Sequence, residues 1–247
     1  MILFKLNQCN LYNAINDAYF ISIVLNQDAY LFKRIVNDYT SINAHLKYYW
    51  PFNNDLTDVI SNRKLEIGAN AFFTTDRLNK NLSAIKLSKG FLQGPADTYF
   101  TGDFTVSAWV KVIEFFPLER FFEFSNPSCS SVVRTLFTDE TTNNSFTRIW
   151  SSGTSTDRIY SNIPFKLNRW QHFVITLNST MLEMYIDNVL VGNGPSKPAP
   201  GINYTNVFIG KDCGTSPIYS NFELDDLKIF DSYLNPQEIL KNMNFFF

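Results

Sequence analysis

The stretch GDFTVSAWVKV, residues 102–112, decides the fold class that this sequence predicts. Every second residue from Phe104 to Val112 is apolar, and mostly polar residues stand between them. Because successive side chains of a β-strand point to opposite faces, this period of two predicts a strand with one buried face. The run QHFVITL (171–177) repeats the pattern, and MLEMYIDNVLVG (181–192) predicts a hairpin that turns tightly at its Asp-Asn pair.

Short apolar runs separated by polar turns continue on both sides of this stretch. They include LKYYWPF, SAIKLS, RFFEFS, SVVRTLFT, SFTRIWSS, NVFIG and FELDDLKIF. Strands at this spacing, with almost no helix between them, are typical of a β-sandwich. Near the end, Asn235 can cap a helix that starts at Pro236 and whose Glu238 reaches back to the cap. We therefore predict an all-β domain over residues 47–242 that closes with one short helix.

The first 46 residues differ in texture from this domain. Leu11, Ile15 and Tyr19 recur at near-helical spacing, which indicates one or two helices. The pattern is impure, so a poorly ordered extension is the alternative. We treat residues 1–46 as an N-terminal extension to which the sequence assigns no function.

Composition argues against several classes of protein. The chain has 247 residues, of which 45% are hydrophobic and 16% aromatic, and its net charge is −2. No large basic field is available to neutralise phosphates, so nucleic acid is not expected as a partner. No apolar run reaches the roughly 18 residues that a membrane span needs. The N-terminus also lacks the charged start, apolar run and small-residue site of a secretory signal.

The three cysteines, Cys9, Cys129 and Cys213, form no pair with the spacing of a zinc site. Cys129 and Cys213 both sit in turn-like surroundings, PSCSS and KDCGTS, which would suit a disulfide between loops. Two separate thiols are the alternative, and the sequence leaves both open. Cys9 would then be the odd cysteine.

Three stretches, in this order, resemble the concanavalin A-like lectin/glucanase superfamily, specifically its laminin-G-like and pentraxin-like jelly rolls. They are YYWPFNNDLTDVISNRKLEI (48–67), GDFTVSAWVKV with the later RWQHFVITLNSTMLEMYIDNVLV (169–191), and FELDDLKIFDSYLNPQEI (222–239). The resemblance implies a two-sheet antiparallel jelly-roll β-sandwich. The chain departs from the family pattern at the hairpin, where Asn188 replaces a glycine, and in the last stretch, where Glu223 does.

The resemblance also implies a calcium site. Asp225 matches the aspartate of the last strand that supports a structural calcium in many relatives, and the opening loop with Asp58 would lie beside that strand. Calcium takes six to eight oxygen ligands, often carboxylates mixed with loop carbonyls. The alternative is that Asp225 bonds loop amides and that Asp58 is a solvated turn residue. Asp225 and Asp58 are thus our candidate calcium ligands.

Catalysis has less support in the sequence. The superfamily includes glycoside hydrolases, in which two carboxyl groups flank the scissile bond. Here Glu223 is followed by Asp225 and Asp226 but by no second glutamate in the strand, and Glu183 stands alone. His172 has no nucleophile near it in the sequence and is interpreted as structural. We predict no enzyme, and keep a glycoside hydrolase or a degenerate relative as an alternative.

Recognition is the function that the resemblance favours. Trp150 and Tyr160 flank the polar turn SSGTSTD and could stack on a sugar or anchor a peptide. The polar segment 138–144 is a second, weaker candidate site. Four glycosylation sequons begin at Asn81, Asn143, Asn178 and Asn203, each in a predicted turn or loop. We predict an extracellular recognition or adhesion module that binds a glycan or a protein, with a structural spacer domain as a further alternative and the oligomeric state left open.

Overall fold

A computed structural model gives the fold of residues 45–151, 154–155 and 158–244. Its elements, in chain order, are β1 (Leu46–Trp50), β2 (Glu66–Thr74), β3 (Ala84–Gln93), β4 (Phe104–Val112), β5 (Arg120–Ser125), β6 (Val132–Leu136), β7 (Phe146–Ser151), β8 (Thr154–Ser155), β9 (Ile159–Tyr160), β10 (Gln171–Asn178), β11 (Met181–Ile186), β12 (Val189–Pro195), β13 (Asn206–Ile209), β14 (Ser220–Phe230) and the helix α1 (Pro236–Asn244). The predicted extension lies outside these ranges except for its last two residues, and so does Cys9.

The strands follow one hydrogen-bonded path in the order β12-β11-β10-β4-β14-β3-β13-β5-β6-β7-β8, with β1 added to β14, β2 to β3 and β9 to β7. The ladders between these strands are antiparallel. The path folds back on itself, because the Phe121 ring of β5 packs against Phe173 of β10 and Phe222 of β14. The result is two facing layers around a shared aromatic core, the first built around β4, β10 and β14 and the second around β5, β6 and β7. This arrangement confirms the predicted all-β sandwich.

Local signals in the sequence account for the places where strands turn and the helix begins. Asp187 and Asn188 both have positive φ, 51° and 62°, as a two-residue hairpin turn between β11 and β12 requires. At α1, the Asn235 carboxamide oxygen accepts the N–H of Glu238 at 3.2 Å, and the Glu238 carboxylate accepts the N–H of Asn235 at 2.9 Å. This reciprocal pair is the predicted capping box.

The helix α1 covers part of the outer face of the first layer. A second apolar cluster lies beneath it and comprises Leu46, Tyr49, Val174, Tyr185, Phe230, Leu234 and Ile239. The opening strand is held there as well, since Trp50 pairs with Leu227 of β14. In the described part of the chain, no helix has the length and apolar character needed to cross a membrane.

Candidate ligand-binding face

Strand β7 presents an aromatic and cationic row on the outer face of the second layer. Phe146, Arg148 and Trp150 lie on one face because alternate residues of a strand point the same way. The ladder to β6 runs through the strand without a register shift. The intervening Ile149 is buried in the main core. Phe146 lies outside that core but is only 1% exposed, whereas Trp150 is half-buried. The row therefore faces away from the interior of the sandwich, but only Arg148 and Trp150 are partly open, since Arg158 and Tyr160 cover the Phe146 ring.

Arginines lie over the aromatic rings of this row. The Arg148 guanidinium carbon is 5.3 Å from the Trp150 ring centroid, and that of Arg158 is 4.8 Å from the Phe146 centroid. Tyr160 pairs with Phe146 across the β7–β9 ladder, their ring centroids are 5.4 Å apart, and the residue is 42% exposed. A cation above a ring is an attractive, orienting contact. We call Phe146, Arg148, Trp150, Arg158 and Tyr160 the β7 face.

The spacing along this face suits an extended ligand. Trp150 stands four residues from Phe146, and hence from Tyr160 opposite it, which corresponds to roughly 13 Å along the strand. Trp150 is half-buried and Tyr160 is exposed. Rings fixed in this way offer flat apolar area with polar groups at the edge, which is what sugar rings and peptide side chains can stack on. Both aromatic residues that the sequence singled out thus belong to one surface.

A buried ionic cluster lies next to the β7 face. Arg134 of β6 stands opposite Arg148 in register, and its guanidinium is 3.5 Å from the Glu123 carboxylate. The Glu123 carboxylate also accepts hydrogen bonds from Arg120 Nε at 3.3 Å and from the backbone N–H of Cys213 at 3.1 Å. Burial lowers the pKa of Arg120, and the Glu123 carboxylate opposes that shift. Shared carboxylate contacts of this kind hold long side chains in fixed positions beside the face.

A disulfide ties the loops that border this cluster. Cys129 and Cys213 are bonded, with their Cα atoms 6.3 Å apart, within the usual range. The bond joins the loop after β5 to the loop after β13, and the second loop delivers the Cys213 amide to Glu123. The disulfide thus restrains one side of the candidate face.

Asp58, one of the two candidate calcium ligands, is buried and bonded to backbone donors. Its Oδ1 accepts the N–H groups of Tyr49 at 2.5 Å and Ile60 at 3.0 Å, and its Oδ2 accepts that of Ser61 at 2.7 Å and the Ser61 hydroxyl. The residue is 1% exposed, so it is not a solvated turn residue. Its carboxylate anchors the loop after β1 to that strand.

Asp225, the other candidate ligand, is paired with an arginine. Arg77 donates one guanidinium nitrogen to Asp225 and the other to Asp226 at 2.7 Å. Burial, and next the neighbouring Asp226 carboxylate, raise the pKa of Asp225, whereas Arg77 opposes the rise. Within the described ranges, no three His, Cys, Asp or Glu side chains are grouped so as to hold a metal ion. Because both aspartates already have hydrogen-bond partners, this donor set does not fit calcium. The calcium binding predicted at Asp225 and Asp58 is still to be tested by experiment.

The carboxylates that a hydrolase could have used have other partners. Lys111 lies 2.5 Å from the Glu223 carboxylate. Glu183 accepts the hydroxyls of Tyr185 at 2.9 Å and Tyr233 at 3.2 Å. His172 is 2.9 Å from the Ser107 hydroxyl, and burial lowers its pKa to about 3, so that its imidazole is neutral. The structure thus places a serine hydroxyl beside His172, which the sequence did not indicate. Both residues are 1% exposed, and the Asn242 carboxamide of α1 also donates to the Ser107 hydroxyl at 2.6 Å, so this pair is a buried structural contact.

Residues 138–143 of the segment 138–144 line a small pocket of about 110 Å³ together with the loop 115–117. Asp139 caps this segment by accepting the N–H of Thr141 at 2.7 Å and that of Thr142. Glu140 forms a two-point pair with Arg158, at 2.7 and 2.9 Å. The pocket therefore borders the β7 face through Arg158. The four sequon residues, Asn81, Asn143, Asn178 and Asn203, are all exposed, and Asn143 lies at this pocket.

Two parts of the face were missed from the sequence. Phe146 and Arg148 alternate with Trp150 within SFTRIW, so the same period that predicts the strand could have placed them beside it. Arg158 contacts Phe146 only because the chain returns to pair β9 with β7. No local sequence pattern predicts that β9 pairs with β7.

Comparisons with known proteins agree with the fold. A family model described as the concanavalin A-like lectin/glucanases superfamily matches residues 88–240, more than half of the chain. No curated protein matches the chain. One similar solved structure is domain 4 of AbnA, a GH43 extracellular arabinanase from Geobacillus stearothermophilus, in complex with arabinotriose. It is 18% identical, with a TM-score of 0.66, over 79% of this chain and 96% of that one.

Two further structures contain the binding domain of botulinum neurotoxin DC. The one in complex with rat synaptotagmin II is 17% identical with a TM-score of 0.63, and the one in complex with SialylT is 16% identical with a TM-score of 0.61. Each covers 82% of this chain, which spans only 52% of the toxin domain. At such identities the likeness shows the fold alone. The family match and the two-layer antiparallel topology lead to one conclusion: this chain belongs to the concanavalin A-like lectin/glucanase superfamily and has a laminin-G-like jelly roll.

Proposed function

We propose that this chain is a non-catalytic recognition module that binds a glycan on the β7 face. The observation that carries the proposal is a pair of accessible aromatic rings on one face, Trp150 half-buried and Tyr160 exposed, which stand roughly 13 Å apart with Arg148 and Arg158 beside them. Sugar rings stack their apolar C–H faces on such aromatic surfaces, while arginine donors can bond the hydroxyl groups around them.

The solved structures support this choice of ligand class. Domain 4 of AbnA was solved with arabinotriose, and the neurotoxin binding domain with SialylT. The latter domain was also solved with synaptotagmin II, so a protein ligand is the main competitor. The two accessible rings favour the glycan because their separation of roughly 13 Å lets an oligosaccharide stack one sugar on Trp150 and a more distant one on Tyr160.

An extracellular location is part of the proposal. The Cys129–Cys213 disulfide supports it, because such bonds persist in oxidising compartments and are rare in the cytosol. Four exposed sequon asparagines support it too, since glycosylation needs surface loops in a secreted protein. The alternative of a hydrolase gains no support, because Glu223 is paired with Lys111.

Replacing Trp150 by alanine should weaken glycan binding at least about tenfold, since a stacked ring contributes about 1 kcal/mol or more beyond its buried area. Calorimetric titration with arabinotriose and with a sialylated oligosaccharide measures the affinity of each variant. Trp170→Ala is the matched control, because Trp170 is also half-buried and also lies under a cation, Lys111, at 5.5 Å. Binding that survives Trp150→Ala but is lost in Trp170→Ala would place the site on the other layer. If no oligosaccharide of a broad panel binds the wild type, the glycan proposal is wrong.

A further inference from the structure

The loop after β2 brings a guanidinium to two adjacent carboxylates of β14. Arg77 bonds Asp225 through one terminal nitrogen and Asp226 through the other, at 2.7 Å in the second case. The Arg77 side chain is 7% exposed, so the contact is shielded from water. A planar guanidinium with two parallel donors fits such a carboxylate pair better than a point charge does.

A backbone irregularity makes this arrangement possible. Successive residues of a regular strand point to opposite faces, which would separate the two carboxylates. Here the ladder between β14 and β4 shifts register between Asp225 and Lys228, and Asp226 has a φ of 50°. A bulge of this kind re-aims a side chain, and it turns Asp226 so that one guanidinium reaches both carboxylates.

The surroundings fix the arginine and its partners in place. The Arg77 guanidinium carbon is 4.8 Å from the Trp109 ring centroid, so the ring supports the cation from one side. The Tyr49 hydroxyl donates to Asp226 at 2.5 Å. Lys228, also buried, donates to Asn242 of α1 at 3.0 Å and lies over the Tyr49 ring at 5.0 Å. Arg77 and Lys228 thus accompany the carboxylates of Asp225 and Asp226. The buried Asp76 carboxylate also acts on Asp225, but it is bonded to backbone N–H groups of its own loop.

We propose that Arg77 takes the place that a divalent cation would fill between Asp225 and Asp226. A calcium ion needs several free oxygen ligands and net negative charge around it, and the guanidinium removes both at this point of the fold. The module is then stable without metal, and removal of the guanidinium turns the two aspartates into a cation-binding pair. This inference goes beyond glycan recognition and does not depend on it.

The first test is a thermal melt of the wild-type protein in excess calcium and in excess chelator. We expect the same midpoint in both, because the protein's own cation already occupies the carboxylates. A midpoint that falls on chelation and recovers with calcium would overturn the proposal.

The second test is the variant Arg77→Met, which keeps the apolar stem over Trp109 and removes the charge. We expect it to melt below the wild type and to regain part of the difference in calcium. It should also gain saturable, tryptophan-sensitised terbium emission, because a bound lanthanide would lie beside Trp109. The triple variant Arg77→Met, Asp225→Asn, Asp226→Asn is the control and should show neither effect.

A folded Arg77→Met protein without calcium response or terbium emission would contradict the second half of the proposal. If that variant does not fold in chelator, refolding with added calcium decides the matter: recovery supports the exchange of cations, and failure to recover contradicts it. Arg77→Lys keeps a positive charge but loses the two parallel guanidinium donors. Its melting midpoint should lie between those of the wild type and Arg77→Met, and it should show no terbium emission. Saturable emission from Arg77→Lys would show that a single retained charge does not close the site.

Discussion

A Glu119→Gln variant should be more stable than the wild type at pH 9 by roughly 3–5 kcal/mol, and the advantage should vanish near pH 4. Glu119 is fully buried, and burial raises the pKa of its carboxyl to about 8. The hydrogen bond from the Asn221 N–H, at 2.8 Å, opposes this rise, and the nearby Glu114 carboxylate adds to it. In the unfolded chain the same group has a pKa near 4.5.

The sign follows from proton binding. Between about pH 4.5 and 8 the folded state holds a proton on Glu119 that the unfolded state has lost, so the wild type loses stability as the pH rises through this window. Glutamine offers a carbonyl oxygen to the Asn221 N–H and carries no charge, so it removes this dependence. Urea unfolding at a series of pH values measures both curves. Parallel curves for the two proteins between pH 5 and 8 would show that Glu119 is ionised in the folded protein.

Asp58→Ala should lower the free energy of unfolding by about 3 kcal/mol, with or without calcium. Three backbone N–H groups and the Ser61 hydroxyl donate to this buried carboxylate, and alanine leaves those donors without a partner. Since Tyr49 belongs to β1, the loss also weakens the attachment of the opening strand. Chemical denaturation in calcium and in chelator measures the effect.

Asp55→Ala is the matched control for this variant. Asp55 lies in the same loop, accepts the N–H groups of Leu56 at 2.7 Å and Thr57 at 3.1 Å, and is exposed, so water can replace it. We expect a loss below about 1 kcal/mol. If Asp58→Ala destabilises the protein only when calcium is present, Asp58 acts as a metal ligand and the assignment to backbone anchoring is wrong.

Short-range signals made the sandwich predictable. The period of two in FTVSAWVKV, the Asp187 and Asn188 turn and the capping box at Asn235 each act over a few residues and appear in the structure as expected. The family resemblance supplied the way these pieces are connected, including the contact of the opening strand with β14.

The site was predictable only in part, because its contacts are long-range. Trp150 and Tyr160 stood out as aromatic residues around one turn, but their partners depend on how the chain returns to β7. Arg77 and Asp225 are 148 residues apart in the chain. The bulge in β14 that brings Asp226 to the same guanidinium is not predicted by any local sequence pattern. The disulfide between Cys129 and Cys213 was one of two open alternatives for a similar reason, since turn-like surroundings do not fix which loops approach each other.

The location of the glycan on the β7 face can be measured directly by following backbone amide resonances during titration with a bound oligosaccharide. We expect shift changes that concentrate on β7, from Phe146 to Trp150, and on Tyr160, with the indole resonance of Trp150 among the largest. Changes that cluster instead around Trp109 and Trp170, on the other layer, would contradict the account.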